Sequence, residues 1–294
     1  MSTVQDATPT RVSRRFAYQA HVEVLDYPLR VETDIEHAAR TIEEILAPFR
    51  CPEDPNGVAL SIVDDHEAWA PFALYLGDEP LREHAELEPV LDYLFWYINH
   101  QAIINTKRHL MVHAAAASLH GRGLLLPARM DSGKSTLVAG LTRSGFDYLT
   151  DEVALLDPSS GILHPYPKAL WLEEPSISAI GGLTRIQRRL LGEQYQVPAS
   201  DLRQSAIGSP VPVRLIVTPR YEEGAQTQLE AIGRAEAIVL LRSHCFNFPD
   251  FGDRGLDLLS ELVRGADCYR MIVGDLGAAV EALTRLAGEE VASA

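Results

Sequence analysis

Between Phe16 and Val31, apolar side chains fall on alternate positions, at Val22 and Val24 and again at Leu29 and Val31, on either side of Asp26-Tyr27-Pro28. A period of two on both flanks of a turn triplet predicts two short strands. The period then lengthens. Ala38, Ile42, Ile45 and Leu46 recur at helical spacing and predict a helix to about Phe49, with Asp34 as its N-cap. Pro52 to Gly57 reads as a loop, and Val58 to Val63 as a further strand. Residues 1–15 are polar and aperiodic and read as a flexible tail. Residues 16–88 are therefore expected to form a small N-terminal α/β domain.

Pro89 suits the first turn of a helix whose stripe is Val90, Leu91, Leu94, Phe95, Ile98, Ala102 and Ile103. Trp96 and Tyr97 lie beside that stripe and read as packing residues. This linking helix, 89–106, is taken as the opening of a second domain over 89–294. Leu110–Leu119 and Gly123–Leu126 are apolar runs around His120-Gly121-Arg122, the pattern of a hairpin. Ser135–Arg143 predicts a helix ended by Gly145, and Tyr148-Leu149 begins the next strand. Val153–Leu156 and Ile162-Leu163 predict a strand pair around the Pro158–Gly161 turn. Further on, strands are expected at Val213–Val217 and Cys268–Val273, and helices at Glu236–Leu241, Leu256–Val263 and Ala278–Leu286. Strands interleaved with helices give an α/β class.

Composition narrows the partners. The 294 residues are 46% hydrophobic and 23% charged, as in an ordinary globular protein. Forty-one acidic against 26 basic residues give a formal charge of −15, which repels nucleic acid and equally repels a free nucleotide. Any nucleotide must be held by local backbone N–H groups, a lysine and a divalent cation. The most apolar long segment, Val90 to Ile104, is broken by Asp92, Asn99, His100 and Gln101, so no membrane span is expected. The first residues do not read as a secretory signal. Cys51, Cys245 and Cys268 are too scattered for a disulfide framework or a metal knuckle, and a reducing cytoplasm is the expected compartment.

The chemistry concentrates at Ala128-Arg129-Met130-Asp131-Ser132-Gly133-Lys134-Ser135-Thr136, which follows Leu124-Leu125-Leu126 and opens a helix. That is the setting of a phosphate-binding loop, although Ala128 stands where the usual GxxxxGK[ST] pattern begins with glycine. N–H groups at the helix start would face phosphate, Lys134 would reach the β and γ phosphates, and the Ser135 hydroxyl would bind Mg²⁺. Arg129 either adds a second cation or faces solvent. Ala128 either pays for a positive φ or adopts an ordinary backbone after Pro127. Leu149-Thr150-Asp151-Glu152 ends a second apolar segment. Asp151 there can hold Mg²⁺, and Glu152 can take a proton from a hydroxyl. His113, inside an apolar stretch, is either a satisfied core histidine or a neighbour of the γ phosphate.

Three segments together resemble the catalytic core of HPr serine kinase/phosphorylase: Val112-His113-Ala114, Ala128 to Thr136, and Gly145-Phe146-Asp147-Tyr148-Leu149-Thr150-Asp151-Glu152. The chain is similar in particular to divergent HPr-kinase-related proteins found with bacterial peptide-modification genes, including lasso-peptide kinases. Pro165-Tyr166-Pro167-Lys168, Val217-Thr218-Pro219-Arg220-Tyr221 and Ala235-Glu236-Ala237 also look like that group. The resemblance implies a P-loop kinase core of HPr-kinase/PEP-carboxykinase-like type, with His113 near the transferred phosphate. It implies that Lys134 and Ser135 bind triphosphate and Mg²⁺, and that Asp151 aligns with the first family acid. Glu152 stands where the family has a second aspartate, and the added methylene displaces a carboxylate by about 1 Å, a shift large enough to affect rate. Leu170-Trp171-Leu172-Glu173-Glu174 does not match the LEIRGLG-like signature of true HPr kinases, which puts phosphorolysis and HPr recognition in doubt.

The expected activity is thus Mg²⁺-assisted phosphoryl transfer from ATP to a hydroxyl of a small molecule or peptide. Catalytic roles fall to His113, Lys134, Asp151 and Glu152; Lys168 and Arg220 are candidate substrate or phosphate contacts, with surface or structural roles as the alternative. The alternative is a nucleotide-dependent interaction or regulatory protein that has drifted from transfer, motivated by Ala128 and Glu152. The hexamers of the resembling kinases imply a homo-oligomer.

Overall fold

A computed structural model of the chain describes residues 15–184, 189–191 and 194–289, so the expected tail lies, apart from Arg15, outside the described residues. The chain divides into two compact units, residues 1–106 and 107–294.

In the first unit, β1 (Tyr18–Val24) and β2 (Tyr27–Thr33) form the expected hairpin, with Val24 opposite Tyr27. Helix α1 (Glu36–Leu46) buries Ala38, Thr41, Ile42, Ile45 and Leu46 and runs into a 3-10 turn over Ala47–Phe49. Asp34 does not cap it. Ile35 holds the N-cap position without a side-chain bond, and Asp34 Oδ1 instead accepts from the Ala17 N–H at 2.7 Å. The crossover returns the chain to β3 (Val58–Asp64), parallel to β2; β4 (Phe72–Leu76) and β5 (Glu79–His84) then complete a five-stranded sheet in the order β1-β2-β3-β4-β5. Neither β4 nor β5 was anticipated; β5, Glu79-Pro80-Leu81-Arg82-Glu83-His84, is an edge strand with almost no apolar face. Helix α2 (Glu88–Asn105) buries Val90, Leu91, Leu94, Phe95, Tyr97 and Ile98, and packs on this first sheet. The linking helix thus keeps company with the strands before it. Trp96 remains partly exposed, stacked on His100 and beside Tyr93.

The second unit is built on β6 (Leu110–Leu119). Its odd and even positions enter two separate cores: Leu110, Val112, Ala114 and Ala116 on one face, Ala115 and Ala117 on the other. Burial on both faces explains why the strand reads as one apolar run. A two-residue loop, His120 (φ 52°) and Gly121 (φ 74°), returns it to β7 (Arg122–Pro127), the double positive φ of a type I′ turn. Next come α3 (Lys134–Arg143), β8 (Asp147–Thr150), β9 (Val153–Leu156), β10 (Ile162–His164), β11 (Leu170–Leu172) and α4 (Glu174–Ile180). They are followed by β12 (Arg189–Leu191), β13 (Gln194–Val197), α5 (Ala199–Leu202), β14 (Val211–Tyr221) and β15 (Gln228–Ala231). The last elements are α6 (Arg234–Ser243), α7 (Phe248–Arg264), β16 (Asp267–Val273) and α8 (Leu276–Glu289).

The main sheet runs β10-β9-β6-β7-β14-β16-β15, with β8 also paired to β6; β7, β14 and β16 are mutually parallel and β6 is antiparallel to β7. Helices α3 and α8 cover one face, α6 and α7 the other. Strands β11, β13 and β12 form a separate antiparallel sheet against the α3 side. The unit is a mixed α/β layer structure, with β7 leading through the 128–136 loop into α3.

Gly121 has no neighbour within 4 Å of where a Cβ would stand, so its requirement is conformational alone. Gly121→Ala is expected to cost about 1 kcal/mol by chemical denaturation; a change indistinguishable from zero would contradict the turn assignment.

Candidate functional site

Strand β6 brings the pieces together. Ala114 is opposite Pro127, the last residue of β7, so His113 stands level with Ala128, where the loop begins. On the other edge of β6, His113 pairs with Val153, and the Ala114 N–H donates to the Glu152 carbonyl at 3.1 Å. One strand therefore separates the 128–136 loop from the Asp151-Glu152 turn, with His113 between them.

The loop itself is ordered by its own carbonyls. Lys134 Nζ donates to the Ala128 carbonyl at 2.9 Å and the Arg129 carbonyl at 2.5 Å, and Ser132 Oγ donates to Arg129 at 2.8 Å. Positive φ falls at Asp131 (60°) and Gly133 (84°), and Ala128 is not among the positive-φ residues. The replaced glycine therefore carries no left-handed strain; Asp131 does, and aspartate is among the non-glycine residues that tolerate it best. Gly133 caps α3 without a side-chain bond, leaving the N–H groups of the first turn without intrahelical acceptors. Ser135 sits in that turn, and Thr136 Oγ1 is 2.7 Å from Ser176 Oγ of α4. The end of β14 closes the loop's far side through the Tyr221 N–H, which donates to the Ser132 carbonyl. The Arg129 and Met130 side chains face solvent.

The acid turn is neutralised from within. Lys168 Nζ lies 2.9 Å from Asp151 Oδ1 and 3.3 Å from Glu152 Oε2, and donates to the Ala169 carbonyl at 3.2 Å. Those three acceptors use the three N–H donors of an ammonium. Lys168 is thus engaged inward rather than offered to a substrate. Its ammonium also lies 5.1 Å from the centre of the Trp171 ring. The Tyr148 hydroxyl, wholly buried, lies between Asp151 Oδ1 (3.1 Å) and the Lys168 carbonyl (3.0 Å), tying β8 to the same cluster. Burial alone would push the Lys168 pKa down; the two carboxylates outweigh it and hold the amine protonated. Arg220, by contrast, forms an ion pair with Glu222 at the surface and does not join the cluster. Arg242 lies over the Phe248 ring.

Electrostatics tie the two halves of the site. The His113 pKa is pushed down to about 4, first by burial, then by the charges of Lys134 and His244, with Asp151 opposing. Its imidazole is neutral at pH 7. The His113 backbone N–H donates to the His244 carbonyl at 2.8 Å, and the imidazole ring lies 5.5 Å from the Phe246 ring. Lys134 is lowered to about 8 by burial, opposed by Asp151, Asp131 and Glu152. His113, Lys134, Asp151, Glu152 and Lys168 therefore form one interacting set. Sequence reasoning missed Tyr148, His244 and Phe246; the first sits three residues before Asp151, and the other two come from a connection that offers no motif. Among the described residues no group of three or more His, Cys, Asp or Glu could cage a metal.

No family model matches the chain, and no curated protein matches it. A solved structure is similar to it. This is the Hpr(Ser) kinase/phosphatase from Coxiella burnetii, 13% identical, with a TM-score of 0.33 over 62% of this chain and 97% of that one. Among the described residues no helix is long and apolar enough to cross a membrane, and Cys51, Cys245 and Cys268 are free thiols.

Two outcomes follow from this geometry. The unfolded imidazole takes a proton near 6.5 and the folded one only near 4, so His113 contributes stability above pH 6.5 that is lost as pH falls toward 4. Titration of the ring by NMR is expected to give that depressed value, and Lys134→Met to raise it; an ordinary imidazole value in the wild type would contradict the arrangement. Lys168→Met is expected to destabilise the fold by about 3–5 kcal/mol, because it strands the buried Asp151 carboxylate beside that of Glu152. A loss under about 1 kcal/mol in urea titration would mean that the cluster is solvated.

Proposed function

We propose that this chain binds ATP with Mg²⁺ on the 128–136 loop and transfers the γ-phosphoryl group to a hydroxyl of a small molecule or peptide. The observation that carries the reading is the juxtaposition across β6, which sets His113 between the Lys134 loop and the Asp151–Glu152 turn. A triphosphate seated at the start of α3 meets free N–H groups and the Lys134 ammonium. Ser135 and Asp151 would hold Mg²⁺, which would neutralise charge that develops on the phosphates.

The protein's own groups divide the remaining work. Lys134 exchanges its bonds to the Ala128 and Arg129 carbonyls for β- and γ-phosphate oxygens. His113, neutral at pH 7, donates from one ring nitrogen and so orients a phosphate oxygen without adding charge. Glu152, whose side chain is one-third exposed, is the carboxylate that reaches an incoming hydroxyl and takes its proton. Asp151 is almost fully buried and holds its orientation through Lys168 and Tyr148. Burying the reactive acids beside a lysine keeps the local charge close to balanced despite the −15 of the whole chain.

A second reading is a nucleotide-dependent regulator without transfer. It is favoured by the ion pair that Lys168 makes with both carboxylates, which must loosen at Glu152 before a hydroxyl can be deprotonated.

Incubation of the protein with γ-labelled ATP, Mg²⁺ and panels of hydroxyl-bearing peptides and small molecules separates the two. Transfer is expected to an acceptor, and Lys134→Met is expected to lower it by about a hundredfold or more. Nucleotide binding without transfer to any acceptor would favour the regulator, and undiminished transfer by Lys134→Met would overturn the loop's role.

A further inference from the structure

We propose that Lys168 is a built-in counter-cation that keeps a free divalent ion off the Asp151–Glu152 pair, so that metal enters this site only together with the phosphates of a nucleotide. The inference rests on the nucleotide-site reading only in taking the acid pair to face the phosphates.

Two adjacent carboxylates at a strand end are an attractive place for a divalent cation. Here the place next to them is already filled by a positive charge belonging to the chain. Lys168 Nζ sits 2.9 Å from one carboxylate and 3.3 Å from the other. Its side chain is only 9% exposed and that of Asp151 only 3%. The ammonium is not a loose surface charge that drifts away. The Lys168 N–H donates to the Tyr166 carbonyl at 2.9 Å, the Tyr148 hydroxyl reaches the Lys168 carbonyl at 3.0 Å, and the Trp171 ring lies 5.1 Å from Nζ. Tyr166 and Tyr148 are themselves fully buried.

A hydrated Mg²⁺ or Mn²⁺ arriving alone would have to shed water and also displace a tethered ammonium whose other N–H is satisfied by the Ala169 carbonyl. It would bring no compensating ligands, and a hard octahedral ion needs several oxygens. An ion that arrives with a triphosphate brings phosphate oxygens of its own, and needs from the protein only the Ser135 hydroxyl and one face of Asp151. Lys168 thus acts as a positioning residue: it fixes the acids in the absence of ligand and links metal entry to nucleotide entry.

The test is Mn²⁺ binding to the full-length chain without nucleotide, followed by the loss of the free-ion electron paramagnetic resonance signal. Wild type and Asp151→Asn are expected to bind Mn²⁺ equally, since weak binding elsewhere on the acidic surface is common to both. Lys168→Gln and Lys168→Met are expected to gain one additional site that is lost again when Asp151→Asn is added. With a non-hydrolysable ATP analogue present, wild type is expected to gain one Mn²⁺ per bound nucleotide. A nucleotide-free site in the wild type that Asp151→Asn removes would overturn the proposal, and that comparison needs no Lys168 variant to fold. So would folded Lys168 variants, judged by circular dichroism, that gain no site. Absence of phosphoryl transfer would count against the kinase reading and leave these cation results standing.

Discussion

Strand β6 is the constraint on which the second unit depends. It is buried on both faces, with β7 on one edge for most of its length and β8 and β9 on the other. A strand so enclosed has no freedom of register, because a slip of one residue would exchange the two cores. That rigidity is transmitted to chemistry. The pairing of Ala114 with Pro127 fixes where the loop leaves the sheet, and the pairing of His113 with Val153 fixes where the acid turn arrives. Neither the loop nor the turn has to find the other through flexible segments.

The second constraint is charge. Two carboxylates, two lysines and a histidine lie close together in a partly buried space, and each perturbs its neighbours. Lys168 holds the acids as an inner salt bridge, whereas Lys134 rests on the loop carbonyls and keeps a depressed pKa of about 8. The two lysines therefore differ in kind. One is locked by three acceptors and a ring; the other is held by backbone carbonyls that a phosphate can replace without leaving a charge unpaired.

Much of this arrangement was legible in the sequence where periodicity is strong. The β6–β7 hairpin, α3, the β9–β10 pair and the core of α1 follow from alternation, helical spacing and turn residues. The loop was recognisable because its Gly-Lys-Ser lies between an apolar run and a helix, and Asp151 and Glu152 because paired acids end an apolar segment. Other features depend on long-range contacts that no local pattern encodes. The strands Leu170–Leu172, Arg189–Leu191 and Gln194–Val197 are too short to display a period. Asp34 has a capping residue's chemistry but was drawn to Ala17 instead. Lys168 left a substrate contact and a structural role both open in the sequence; only the fold reveals that its carboxylate partners come from a turn 16 and 17 residues earlier in the chain. Ala128 is informative in the opposite direction. Its departure from the usual glycine left open whether this position needs a positive φ, and the left-handed positions prove to be Asp131 and Gly133.

A triphosphate site around β6 is tested most directly by calorimetric titration with Mg²⁺ complexes of ATP, ADP and AMP. On the proposed reading Lys134 and the first turn of α3 hold the β and γ phosphates, so ATP and ADP are expected to bind and AMP to bind far more weakly. Equal affinity for all three nucleotides, or heat from none, would contradict the account.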